Sequence, residues 1–297
     1  MSRGIAMHRI ATAGLLLLVL LAATGGARAD AIFDVQAGAL YDSNLTRAQL
    51  PSDIKGDTAL QAALAWGRFV PLADGLGIRA TLDAAGEVYP RYSGLNNLSL
   101  GGSLGVRRKF GLGALAPWVS ASGSAARLEY QNNVRTGWRY DVGVGAGKRL
   151  TDDLSVETSF RYEHRTADEN NPVVPGISGA VWDLQSHQAT LSSDYAITES
   201  LSLAAGFDYR RGDVASTTLR NFTIFVNSTA IALDPVFGAD TIGYKIYAIT
   251  RAWRLGTSYA LGQSNSINFI AERWISRAHG GLDYYNTLVF LSYVHAL

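Results

Sequence analysis

Ser186 and His187 stand side by side in DLQSHQATLSSDY and raise the question of hydrolytic chemistry. A serine nucleophile needs a base within hydrogen-bond reach and a third group to orient that base. This segment alternates as a strand does, so adjacent side chains point to opposite faces and the two residues cannot serve each other. His164 falls on the apolar face of its own strand, the place of an interfacial polar residue rather than a base. His279 and His295 complete the set beyond the amino-terminal leader. ADENNP, residues 167–172, offers Asp168, Glu169 and Asn170 as oxygen ligands for Ca²⁺ or as a bridge to lipopolysaccharide. A Ca²⁺ site needs roughly six to eight well-placed oxygens, so the run reads better as a hydrated acidic loop. VGVGAG, residues 142–147, is rich in glycine, but no helix follows it and it is not a nucleotide-binding loop. The chain contains no cysteine, so there is no disulfide framework. From these residues we expect no catalytic set, no metal and no cofactor, and the protein is not read as an enzyme.

What remains is charge placed with strict periodicity. LSVETSFRYEHR, Leu154 to Arg165, interleaves Leu154, Val156, Phe160 and Tyr162 with Glu157, Arg161, Glu163 and Arg165. On a strand this makes one apolar and one charged face. The same pattern sets Ile78, Ala80, Leu82 and Val88 against Arg79, Asp83 and Glu87. It sets Leu98, Leu100, Leu104 and Val106 against Arg107 and Lys109, and Tyr140, Val142 and Val144 against Arg139 and Asp141. Leu201, Leu203, Phe207 and Tyr209 oppose Asp208 and Arg210. About twelve such segments begin near Ala31, Thr58, Gly77, Asn97, Pro117, Gly137, Leu154, Val181, Leu201, Ile242, Ser266 and Tyr284. Their spacing leaves room for the ~9–11 residues of a membrane strand. No helical periodicity competes, and no later run is apolar enough for a transmembrane helix.

The connections decide between a soluble sandwich and a membrane barrel. PLADGL, FGLGAL, LTDDL, AITES and ALGQSN are short. Between them fall SNLTRAQLPSDIKGD, PRYSGLN, YQNNVRTG, TADENNPVVPGISGA, the stretch from Gly212 to Thr241, and RAHGGLDY. Short and long connections alternate, as in a barrel with tight periplasmic turns and longer outer loops. The start of the chain agrees. Arg3 and Arg9 precede an apolar core from Ile10 to Ala23, and Ala27 and Ala29 fit a cleavage site before Asp30. This is the pattern of a secretory signal peptide over residues 1–29, leaving a barrel over 30–297. Removal of Arg3, Arg9 and Arg28 from the 26 basic residues leaves 23 against 25 acidic ones, a balance that does not suggest nucleic acid. Aromatics near segment ends, among them Tyr41, Trp66, Tyr89, Trp118, Tyr130, Trp138 and Trp253, suit interfacial girdles.

GALYDSNLTRA, residues 38–48, resembles the opening strand and loop of many Gram-negative outer-membrane β-barrel proteins. Several large families of porins and export-associated barrels open with a similar G-x-x-Y-D-[SD]-N. The resemblance implies an all-β, antiparallel up-and-down transmembrane barrel of about twelve strands in the outer membrane. Tyr41 sits where a girdle aromatic belongs, and Asp42 and Asn44 are expected to satisfy the turn backbone. The carboxyl-terminal TLVFLSYVHAL alternates but ends in Leu297 rather than an aromatic. The chain lacks the helical-repeat domain of some export-associated families.

On this reading Arg79, Asp83, Glu87, Arg107, Arg139, Asp141, Glu157, Arg161, Glu163, Arg165, Asp208 and Arg210 line the lumen. Arg127, Glu129, Lys245 and Glu272 are further candidates. Their mixed signs allow either a transverse field that selects solutes or a salt-bridged filling that stabilises the barrel. Ser99, Gly101, Ser103, Gly143, Gly145, Ser155, Ser159, Ser202 and Gly206 are small and favour open space. RNFTIFVNSTAIALDPVFGAD, residues 220–240, is unusually apolar for a loop. Its Phe222, Ile224, Phe225 and Leu233 are expected to form a constriction, an extended hairpin or a partner contact. The preferred function is a porin-like diffusion channel for small polar or charged solutes. The alternatives are a non-conducting barrel serving an export or surface complex, and an outer-membrane lipid-modifying enzyme. Expected partners are outer-membrane lipid, lipopolysaccharide, the barrel-assembly machinery, and a second copy or an export partner.

Overall fold

The computed structural model describes residues 30–296; the leader expected at 1–29 and the final Leu297 lie outside them. Thirteen strands follow in order: β1 (Asp30–Asp42), β2 (Asp57–Ala73), β3 (Leu76–Val88), β4 (Asn97–Lys109), β5 (Trp118–Tyr130), β6 (Gly137–Arg149), β7 (Leu154–Ala167), β8 (Leu184–Ala196), β9 (Leu201–Thr218), β10 (Ala230–Leu233), β11 (Ile242–Ala260), β12 (Asn265–Ala278) and β13 (Leu282–Ala296). Each long strand pairs antiparallel with its neighbours. β9 pairs directly with β11, and β1 pairs with β13, so twelve strands close into a barrel. Closure leaves no free edge, which is what lets a sheet cross a membrane with its backbone satisfied. The shortest barrel strands have 13 residues. At about 3.3 Å per residue and a tilt near 40° they rise roughly 33 Å, more than the ~25 Å apolar band of such barrels.

Short turns join the strands at the end that holds both Asp30 and Ala296. The β2–β3 turn is Asp74-Gly75, with Gly75 alone left-handed at φ +71 and a register shift between Pro71 and Ala73, a hairpin that closes with a bulge. The longer connections occupy the other end, except that β12 and β13 are joined there by residues 279–281 alone, not by the long loop expected from RAHGGLDY, whose flanking residues continue the two strands. At the short-turn end the widest connection is 110–117 between β4 and β5. In the orientation usual for such barrels, the long-loop end is the outer one.

The register shows which residues share a face. Asp141 pairs with Glu163, Gly143 with Arg161 and Arg139 with Arg165, so these side chains project together. Opposite them, Leu100, Val142, Val144, Phe160, Leu191, Leu255 and Leu291 are all exposed. A continuous apolar belt of this size is unstable in water and suits lipid. Leu154, Val156, Phe160 and Tyr162 therefore face the bilayer, and Glu157, Arg161, Glu163 and Arg165 face the lumen, as the alternation predicts.

The structure differs from the sequence reading in several places. Arg127 and Glu129 lie on the outward face, where Arg127 pairs with Glu129 at 2.7 Å and with Asp168 of the β7–β8 loop. Lys245 is also outward, 3.4 Å from Asp213. Parity was ambiguous in β5 and β11, whose two faces are similar in composition. Trp118 and Tyr130 share the lumen face of β5 and are not girdle residues, and Tyr89 is buried just beyond β3. The 219–241 stretch also contains a single-turn helix, α1 (Phe222–Asn227), where no helical period was legible; Asn221 caps it by accepting from the Ile224 N–H at 3.2 Å.

Candidate functional site

The lumen is the concave site that this fold offers. Arg79, Arg107, Arg139, Arg149, Glu157, Arg161 and Asp194 all point into it and all remain solvent-exposed. Charged side chains exposed inside a closed barrel mean that its interior holds water. Each of the twelve predicted lumen charges projects inward.

Some of these charges cancel. Arg254 bridges Asp208 at 2.9 Å and Glu272 at 2.6 Å across three adjacent strands. Asp208 is buried and also accepts from Gln188 at 2.8 Å and Thr190 at 2.6 Å. Trp274 donates to the far oxygen of Glu272 at 3.0 Å. Arg79 pairs with Asp34 at 3.0 Å, and Arg139 approaches Asp141 at 3.6 Å. Glu87 accepts from Gln61, Asn97 and Tyr89 at 2.7–3.2 Å. Burial beside that carboxylate pushes the Tyr89 phenol upward in pKa, so it stays a donor.

Other charges carry no ion pair among the described residues. Arg161 and Glu163 line a side cavity of about 400 Å³ with Ser122, Ser124, Arg139 and Asp141. Arg165 and Arg210 donate to the carbonyls of Arg135 and Asp213 at 2.6 and 3.0 Å. Asp83 meets only the hydroxyl of Thr81. In the strand order β3 stands opposite β9, so Asp83 and Glu87 lie across the lumen from β6 to β11, whose inward arginines are interspersed with Asp141, Glu157, Glu163, Asp194 and Asp208.

A second contrast was not legible in the sequence. Leu40, Phe290 and Ile270 fall in one row of the lumen wall, with Leu288 beside them. Opposite this arc, β4 to β6 present Gly101, Ser103, Ser122, Ser124, Gly143 and Gly145. One arc therefore carries an apolar patch, and the facing arc is small and hydroxylated. The available signal was VFLSYV in β13, where both alternating sets are apolar.

The outer mouth is crossed by the long loop. Ile224 of α1 and Ile231 of β10 pack in a buried cluster with the inward Val214, Tyr244, Ile246, Leu282 and Tyr284. β10 pairs with the top of β11, and the Ile231 N–H donates to the Ser178 carbonyl at 2.8 Å. The loop tip then reaches the opposite rim: Phe237 lies 5.1 Å from Tyr92, and Val236 and Phe237 pack around Tyr89 and Leu95. A bidentate ion pair pins it. Arg135 meets Asp234 at 2.8 and 2.6 Å, and the Asp234 side chain is fully buried. Thr217 also donates to Asp234, and the Arg135 guanidinium lies 4.9 Å from the Trp182 ring centre. Of the four expected loop residues, Ile224 is buried and Phe225 partly buried against this plug, whereas Phe222 and Leu233 are exposed.

The β1–β2 loop folds inward as well. Asn44 is buried, accepts from the Ala48 N–H and donates to the carbonyls of Ala48 and Tyr285. Asp42 accepts from the Asn44 N–H at 2.8 Å and pairs with Arg47 at 3.0 Å. This is the turn-building role expected of Asp42 and Asn44. Arg47 lies 5.2 Å from the lumen-facing Trp274 ring, and the Thr46 carbonyl accepts from the Thr217 N–H at 2.8 Å. The two inward loops are thus stitched to each other through β9.

Among the described residues the histidines stand apart from one another. His187 is outward beside Phe160 and Tyr162, while its neighbour Ser186 is in the lumen. His164 is outward beside Tyr140, and His279 lies tilted against Tyr247, ring centres 5.1 Å apart. No cluster of His, Asp and Glu with metal-binding geometry occurs among the described residues.

A closed, lipid-belted barrel with a wet lumen and short turns at one end defines the outer-membrane β-barrel fold. Among solved structures, an outer-membrane channel from Pseudomonas putida F1 is similar, with a TM-score of 0.56, 13% identity, and 90% of this chain and 95% of that chain covered. The NanC porin is more distant, at a TM-score of 0.48 and 12% identity, covering 89% of this chain and 100% of that chain. No protein-family model matches the sequence, and no curated protein matches it.

Proposed function

We propose that this chain is an outer-membrane channel for small polar or charged solutes, constricted at its outer mouth by its own 219–241 and 43–56 loops. The observation that carries the reading is the set of solvent-exposed charges inside the closed barrel, Arg139, Glu157 and Arg161 among them. A barrel that served only as a scaffold would gain more from a filled, salt-bridged interior than from hydrated, unpaired charge. The similarity to a channel structure agrees with it. The scattered histidines favour a channel over an enzyme. The outward belt would contact lipid, the outer rim lipopolysaccharide, and insertion would follow the barrel-assembly machinery.

The plug gives weight to one other reading, a non-conducting barrel that anchors an export or surface complex. The exposed Phe222 and Leu233 would then be contact residues. Single-channel recording in planar bilayers separates the two, using the full chain and a variant lacking residues 220–240. Discrete steps from the full chain, enlarged in the variant, support the channel. Silence from the full chain with conduction by the variant favours the anchor. Silence from both, with folded barrels shown by heat-modifiable mobility, sinks the channel reading.

A further inference from the structure

At the short-turn end the lumen opens into a cavity of about 760 Å³. Four cations line it: Arg107 and Lys109 of β4 and Arg149 of β6 come from the lumen face, and Lys148 from the outward parity of β6. None of the four makes an ion pair among the described residues, unlike Arg254, Arg79 and Arg135 elsewhere in the barrel. Arg107 is held without a carboxylate. Its guanidinium lies 4.2 Å from the centre of the Trp118 ring. Trp118 in turn lies across Gly147, where even a Cβ would come within 2.5 Å of the indole. The ring is wedged between backbone and guanidinium. Stacking uses the face of a guanidinium and leaves its in-plane N–H donors unspent. A planar fork of free donors in a wet cavity matches a carboxylate or a phosphate.

Two further features narrow the ligand. Phe69 and Pro71, on the lumen face of β2, contribute apolar surface to the same cavity. Glu157, the register partner of Gly147, and Asp194, two strands from Arg149, line it beside the cations, also without ion pairs, and would repel a second negative group. We infer that this cavity is an anion-binding site facing the periplasm, and that its ligand is an organic monocarboxylate with an apolar body. The site names the solute class of the proposed channel and rests on that reading for its role in transport. Its position below the outer plug means that the ligand is held at the inner mouth, on the side of the constriction that is open.

The test is calorimetric titration of the folded, full-length protein in detergent with sodium benzoate, and separately with inorganic phosphate. Benzoate binding to the wild type, weakened at least tenfold in R107Q and unchanged in R108Q, is the expected result. Arg108 adjoins Arg107 in sequence but lies on the outward face, so it controls for general charge. Where R107Q fails to fold, K109Q serves, with a smaller expected loss. Absence of benzoate binding by the wild type, equal binding by R107Q, or tighter binding of phosphate than of benzoate would each overturn the inference. Binding without bilayer conductance refutes only the channel; conductance without benzoate binding refutes only this site.

Discussion

Replacing Asp234 with alanine should release the outer plug while leaving the barrel folded. Asp234 is fully buried and receives two guanidinium bonds from Arg135 and one hydroxyl bond from Thr217. Removing one member of a buried ion pair typically costs about 3–5 kcal/mol, because the remaining charge stays buried without its partner. Arg135 is only 7% exposed, so water cannot readily replace the carboxylate. Its contacts with the Trp182 and Phe237 rings, at 4.9 and 5.7 Å, are present with and without the carboxylate and leave the difference unchanged. A cost of ~3–5 kcal/mol corresponds to roughly a 100- to 4000-fold rise in the fraction of loops that open, since ~1.4 kcal/mol is tenfold. The Ile231 amide, bonded to Ser178, should report this as a fall in hydrogen-exchange protection of the same size. Amides in β3 and β4 should keep theirs. The double variant R135L/D234L should recover much of the protection, because a well-packed apolar pair often replaces a buried ion pair at little cost. Unchanged protection at Ile231 in D234A, in a protein whose barrel amides are also unchanged, would refute the argument that this pair pins the plug.

Two further outcomes follow from facing and charge. L191R places a cation on the lipid belt and should cost ~2–4 kcal/mol in denaturant unfolding from bilayers, whereas S192R, one residue on and facing the lumen, should cost under ~1 kcal/mol; equal costs would contradict the assigned faces. R254A removes the cation shared by Asp208 and Glu272, so reversal potentials of open channels should shift towards cation selectivity, and an unchanged or opposite shift would show that these carboxylates do not face the conduction path.

The sequence by itself determined the barrel. Period-two alternation is a local property, and a strand exposed to lipid on one side and water on the other must obey it. Strand starts at Asn97, Gly137, Leu154, Leu201 and Ile242 coincide with those read from the pattern, and the lumen placement of Arg161, Glu163 and Asp208 followed from parity alone. Where both faces were of similar polarity, as at Arg127 and Lys245, parity carried no signal and the reading failed.

Only the tertiary structure decided how the mouth and the lumen are organised. Arg135 and Asp234 lie 99 residues apart, and nothing local marks them as partners. Their pairing depends on a loop from one rim reaching the other, which the closed ring of strands brings within range. The apolar patch of Leu40, Ile270 and Phe290 likewise exists only because β1 closes on β13, joining the two ends of the chain into one surface.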